Sequence, residues 1–183
     1  DRIRAVIRGL GISSDGRGRS LWAPRSEGQV LAVERAYPDL KELAAVDYIE
    51  AHATSTQVGD ATELGALASL VGRHIPSGHQ IPIGSVKANI GHTLETAGLA
   101  SLVKVVLVME HGQIPPSSTC KTPNEDFDWQ DGPFKLLSSM SSWQRPAEGV
   151  RTAAVNAFGI GGLNVHVALR EHQPACLLYT SPS

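Results

Sequence analysis

Cysteine is scarce in this chain, with two residues in 183, Cys120 and Cys176. They do not form a CxxC pair, and neither lies near histidines at ligand spacing. That argues against a zinc site and against a disulfide framework. No metal or organic cofactor is expected, and a reducing, cytoplasmic setting fits. Long apolar runs are also missing. The longest, Leu102 to Met109, is interrupted by Lys104 and is too short to span a bilayer. The opening Asp1-Arg2-Ile3-Arg4 lacks the apolar stretch of a secretory signal. Charge of one sign is not in excess: the net charge is −2, so neither nucleic acid nor a membrane surface is expected as a partner. What remains is an ordinary globular profile, 42% apolar and 19% charged, long enough for one domain with a real core.

Hydrophobic periodicity divides the chain into alternating strands and helices. Ile3 to Ile12 alternates apolar residues with arginines and reads as a strand with one wet face. Ser26 to Tyr37 reads as a helix stopped by Pro38. Val46 to Ala51 is a short buried strand that delivers His52. Asp60 and Glu63 have the form of a capping box, opening a helix that runs to Gly72. Ile81 to Val86 is a strand delivering Lys87. Thr96 to Glu110 is a strongly apolar helix, expected to be buried on most sides and ended by Gly112. An irregular stretch follows from Pro115 to about Gly132. Phe134–Leu137, Thr152–Phe158 and Leu163–Leu169 read as strands, the last two as a hairpin across a glycine turn. The pattern predicts an α/β domain, a mixed sheet covered by helices, over residues 1–172. Residues 173–183 are expected to be a disordered or non-native tail.

Two histidines carry the chemical interest. His52 lies in Glu50-Ala51-His52-Ala53-Thr54-Ser55-Thr56, where a buried strand gives way to a hydroxyl-rich loop. In α/β sheets that end of a strand is where ligands usually bind. His92 follows Gly91 in Lys87-Ala88-Asn89-Ile90-Gly91-His92, just ahead of the apolar helix. There it could simply accept from backbone N–H groups. It could equally be held beside a substrate, with Gly91 giving the backbone room to approach. A helix N-terminus disfavours imidazolium, so it favours a neutral, donating ring. Lys87 has apolar flanks and needs a partner if buried; Glu63 is the candidate. The turn Phe158-Gly159-Ile160-Gly161-Gly162 is glycine-rich, but no Lys-Ser/Thr pair or helix follows, so a phosphate loop is a poor reading.

Taken in order, the His52 motif, the Lys87–His92 motif and Asn156-Ala157-Phe158-Gly159-Ile160-Gly161-Gly162-Leu163-Asn164-Val165-His166 resemble the C-terminal half of a β-ketoacyl synthase. The resemblance implies a thiolase-like fold, in which two related halves build a five-layered αβαβα body, and a homodimer. It implies a decarboxylative Claisen condensation between an acyl thioester and a malonyl thioester, both delivered by acyl carrier protein, in fatty-acid or polyketide synthesis. By that resemblance His52 and His92 donate to the thioester oxygen as it becomes negative, where one donor is typically worth about 2.7–4 kcal/mol. Lys87 supports His92 and Glu63 is its acidic partner. The backbone N–H of Ile160 serves the oxyanion hole, and Thr54, Thr56, Phe158, Gly159 and Gly161 contact substrate. The nucleophilic cysteine belongs to the other half. Neither Cys120 nor Cys176 has its context, so this polypeptide alone is expected to be inactive.

Family forms have glycine where this chain has Ala53 and Ser55. If either position needs positive φ, strain of roughly 1–2 kcal/mol is expected. The alternative reading is a non-catalytic, ketosynthase-like partner that sets chain length. It has little chemical need for His52, Lys87 and His92 together. A thiolase typically uses a second cysteine near the C-terminal loop, and Phe158 to His166 contains none.

Overall fold

A six-stranded mixed sheet organises the chain in the computed structural model, which describes residues 2–17, 23–146 and 149–173. The elements run β1 (Ala5–Ser14), α1 (Ser26–Ala36), β2 (Tyr48–Glu50), α2 (Gln57–Val71), β3 (Ile81–Gly84), α3 (Lys87–Ile90), α4 (Ala97–His111), β4 (Gln113–Ile114), β5 (Phe134–Lys135), β6 (Ser141–Ser142), β7 (Thr152–Phe158) and β8 (Leu163–Glu171). The sheet order is β1-β8-β7-β2-β3-β5. β1, β8 and β7 are antiparallel, whereas β7, β2, β3 and β5 run parallel. The hairpin and the mixed sheet expected from sequence are both present. The tail from residue 174 lies outside the described residues.

Two apolar clusters lie on opposite faces. One packs Val33, Leu43, Leu64 and Leu67 from the α1/α2 side onto Ile49, Ile81 and Phe134 of the sheet. The other packs Val105, Val108 and Met109 of α4 against Tyr48, Val155 and Trp143. This is a helix–sheet–helix sandwich, and burial of both faces of β7 explains its continuous Ala153-Ala154-Val155 run. α4 departs from expectation on its outer side. Leu99, Val103 and Leu107 are 64%, 57% and 46% exposed. They line an apolar groove with Ile90 and Met140. The sequence predicts a helix covered on most sides; among the described residues its Leu99, Val103 and Leu107 side stays open. α4 ends at Gly112, whose φ of +62° is the left-handed cap a glycine supplies without strain.

The parallel strands position the site. His52 follows β2, Lys87 follows β3, and Phe158 closes β7, which runs parallel to β2. All three motifs therefore emerge at the same carboxyl edge of the sheet.

Candidate active site

The two histidine rings meet edge to face, with centroids 5.8 Å apart and planes at 87°. Phe158 stacks obliquely on His52 at 5.5 Å. These residues line a cleft of about 790 Å³, together with Thr54, Thr56, Glu63, Gly159 and Ile160. Ile160 stands exposed at the hairpin tip. Gly161 sits in the same turn at φ +94° but does not line the cleft. Lys87 and His92 share a second cavity, of about 480 Å³, with Thr54, Cys120 and Lys121. The structure thus brings together the three motifs that lie far apart in sequence.

His92 has a defined polarity. Its Nδ1 accepts the backbone N–H of Leu94 at 3.0 Å. A ring accepting at Nδ1 carries its proton on Nε2, so that nitrogen is the donor. The local role considered from sequence, an imidazole accepting a backbone N–H, therefore coexists with a donating role. Gly91 takes a φ of +80°, and a Cβ there would meet no protein atom within 4 Å. His52 is kept neutral, its pKa lowered to about 3 by burial first, then by the Lys87 charge and by His92. Its Nδ1 is buried with no partner among the described residues.

Asp60 and Glu63 do not form a capping box. α2 begins four residues earlier than expected, with Thr56 and not Asp60 at its N-cap. Both carboxylates instead turn to the loop after β2. Glu63 Oε1 accepts from His52 N at 2.8 Å and Oε2 from Ala53 N at 2.9 Å. Backbone N–H groups of Ser55, Thr54 and Thr56 face Asp60 and oppose the rise in its pKa that burial causes. Such convergence of successive N–H groups needs unusual backbone. Ala53 and Ser55 accordingly sit at φ +31° and +62°, so the condition for strain is met.

Glu63 also accepts from Asn156 Nδ2 at 2.8 Å. Burial raises its pKa, and these hydrogen bonds oppose that rise. The expected Lys87–Glu63 ion pair does not form among the described residues. Glu63 is satisfied by three neutral donors, and Lys87 feels its charge from further off. Burial lowers the pKa of Lys87, and the surrounding carboxylates counter part of that effect.

A second carboxylate escapes sequence reasoning. Glu50, fully buried, accepts from Val86 N at 2.5 Å, Tyr48 Oη at 2.7 Å and Lys104 Nζ at 2.7 Å. It ties the end of β2 to the start of α3, which carries Lys87, and to α4. The signal for it is Lys104, a charge in the middle of an apolar helix that has to find a buried anion. Cys120 is exposed and donates to Thr122 O at 3.7 Å. Among the described residues, no group of three His, Cys, Asp or Glu could hold a metal ion. No helix among them is long and apolar enough to cross a membrane.

This fold and this pair of imidazoles define a thiolase-like domain of the condensing-enzyme class. The family description "Beta-ketoacyl synthase, C-terminal domain" matches residues 4–121, and "Ketoacyl-synthetase C-terminal extension" matches 123–180. The chain belongs to the β-ketoacyl synthase family. It is 42% identical over 169 residues to the highly reducing polyketide synthase cm3B of Cordyceps militaris, covering 92% of this chain and 6% of that protein. Over 175 residues it is 41% identical to a phenolphthiocerol/phthiocerol polyketide synthase of Mycobacterium tuberculosis, covering 94% and 9%. Among solved structures, it is similar to the ketosynthase from module 6 of the bacillaene synthase from Bacillus subtilis. The TM-score there is 0.90 at 34% identity, covering 96% of this chain and 31% of that one. The chain thus spans under a tenth of those curated relatives and about a third of the solved ketosynthase.

Proposed function

We propose that this chain is the C-terminal half of a ketosynthase that performs decarboxylative Claisen condensation in polyketide synthesis. The acyl chain rests as a thioester on a cysteine supplied by the other half. A malonyl thioester on a carrier protein loses carbon dioxide, and the electron pair of the breaking C–C bond becomes an enolate. The enolate carbon attacks the acyl carbonyl, forming the new C–C bond and releasing the cysteine thiolate. His52 and His92 donate to the enolate oxygen, and the Ile160 N–H serves the tetrahedral oxyanion of acyl transfer. Lys87 holds positive charge beside the two rings. Thr54, Thr56, Phe158 and Gly159 bound the substrate, and Gly161, outside the cleft lining, shapes the turn that carries Ile160. The acyl carrier protein, a homodimeric assembly and a cytoplasmic location belong to the same reading.

The observation that carries it is the edge-to-face pair on one cleft, with the His92 Nδ1 already occupied by a backbone donor. Two neutral donors fixed before reaction need no reorganisation as charge develops. The open apolar face of α4 supports the assignment to one half of a larger body, whose other half would cover it.

The test is release of carbon dioxide from a malonyl-carrier thioester by the complete condensing domain. His92→Ala is expected to slow it by about 10²–10³-fold, the usual cost of one such donor. His52→Ala should impair it as well. Parent-like rates in both variants would refute these roles. This chain by itself should release none and form no acyl-enzyme.

A further inference from the structure

We propose that Tyr37, His166 and Asn156 form a one-directional hydrogen-bond chain that positions His52 through Glu63; this rests on the decarboxylating role proposed for His52. The direction follows from the acceptor at one end. Glu63 Oε1 takes a hydrogen bond from Asn156 at 2.8 Å, so Asn156 presents its amide nitrogen there and its oxygen to the other side. That oxygen lies 2.6 Å from His166 Nδ1. An amide oxygen only accepts, so the His166 proton is on Nδ1. In a neutral ring Nε2 is then a bare lone pair, and Tyr37 Oη, at 3.2 Å, donates to it.

All four side chains are buried. Burial alone lowers the His166 pKa to about 3, consistent with a ring that stays neutral and keeps one tautomer. The chain runs from the end of α1 through β8 and β7 to α2, and ends on the N–H groups of His52 and Ala53. Asn156 and His166 are opposite partners in the β7–β8 ladder, so one register places both links. Ala53 is a strained residue at φ +31°, and its N–H is held by the Glu63 oxygen that Asn156 does not use. Loosening Asn156 therefore frees Glu63 to swing and lets the loop carrying His52 relax. The charged groups facing Glu63 are Asp60, one turn earlier on α2, and Lys87 across the cavity. Neither makes a hydrogen bond that could replace Asn156. Tyr37, His166 and Asn156 are thus positioning residues, acting through Glu63 and not on substrate.

The test uses the complete ketosynthase that carries this chain. His166→Leu removes both links. Malonyl decarboxylation should lose about tenfold to a hundredfold in kcat, as a small misplacement does, with KM unchanged. His166→Gln keeps an N–H for Asn156 and an oxygen for Tyr37, and should restore kcat to near the parent. Asn156→Asp places a second carboxyl against Glu63. Its kcat should stay near parent at low pH, where the introduced carboxyl is protonated and donates, and should fall as pH rises. Equal kcat in parent and His166→Leu, or an Asn156→Asp profile that matches the parent, overturns the proposal. Nitrogen-15 histidine spectra of the parent provide a readout independent of activity. His166 should appear as the neutral Nδ1–H tautomer from about pH 5 to 8, well above its lowered pKa, and an Nε2–H tautomer or an imidazolium overturns it. A parent protein that releases no carbon dioxide refutes the function proposed above and leaves the tautomer result to stand or fall alone.

Discussion

Glu50 and Glu63 are both buried carboxylates at the carboxyl edge of the sheet, and they are satisfied in opposite ways. Glu50 is neutralised by a cation, Lys104, with one backbone N–H and a tyrosine hydroxyl. Glu63 has no cation in contact among the described residues and accepts only from neutral N–H groups. The difference teaches where charge is left available. Lys104 is consumed in holding three elements together. Lys87 is not locked to Glu63, so its charge still reaches His52, where it helps keep the ring unprotonated. One carboxylate serves the architecture and the other shapes a loop without cancelling the lysine beside it.

That contrast can be broken most severely at the ion pair. Lys104→Met leaves Glu50 buried beside a hydroxyl and an N–H, and removing one partner of a buried pair costs about 3–5 kcal/mol. Chemical denaturation should show that loss. The double variant Glu50→Gln/Lys104→Met should recover at least half, because the orphaned charge is gone. Glu63→Gln comes next. A glutamine must turn its NH₂ toward an N–H donor, leaving a buried group unsatisfied at about 1–3 kcal/mol. Its decarboxylation rate should fall more than that of Glu50→Gln, since only Glu63 holds His52.

A smaller effect separates the histidine chain from the rest. His166 has a folded pKa lowered to about 3 against an ordinary value near 6.5. Between those values the unfolded chain binds a proton that the fold does not. Stability present above pH 6.5 is therefore lost as pH falls toward 3, at about 1 kcal/mol per pH unit. His52 adds a slope of the same sign, and the raised Glu63 opposes it. The sharp measurement is the difference in slope between parent and His166→Gln from about pH 6.5 to 5, expected to be about 1 kcal/mol per pH unit. Smallest are Ala53→Gly and Ser55→Gly. Each should relieve about 1–2 kcal/mol of strain against about 0.5–1 kcal/mol of glycine entropy, for a gain near or below about 1 kcal/mol. Melting temperatures would show it.

Much of this is legible in the sequence because periodicity and glycine speak locally. Thr152–Phe158 and its β8 partner, the arrest of α1 before Pro38, and the end of α4 at Gly112 follow from patterns a few residues long. The histidine pair is legible through its motifs. What the sequence misdescribes is tertiary. The Asp60–Glu63 spacing fits a capping box, yet Glu63 takes the N–H groups of His52 and Ala53 upstream and of Asn156 far along the chain. The expected Glu63–Lys87 pair fails because three N–H donors satisfy the carboxylate instead. Asn156 and His166 stand inside a motif conspicuous for its glycines, and their buried link shows only when β7 and β8 are paired. The apolarity of α4 does announce burial, but a single chain cannot say how much of its cover is its own.

The four-residue turn between β7 and β8 also constrains anyone grafting loops between such domains. Asn156 and His166 face the same side only because the ladder pairs them directly. A slip of one position would send one of them to the opposite face of the sheet. Inserts at this hairpin that preserve parity, adding or removing residues without shifting that pairing, should leave the interior wiring intact. Odd slips should disconnect it even where the turn itself remains well formed.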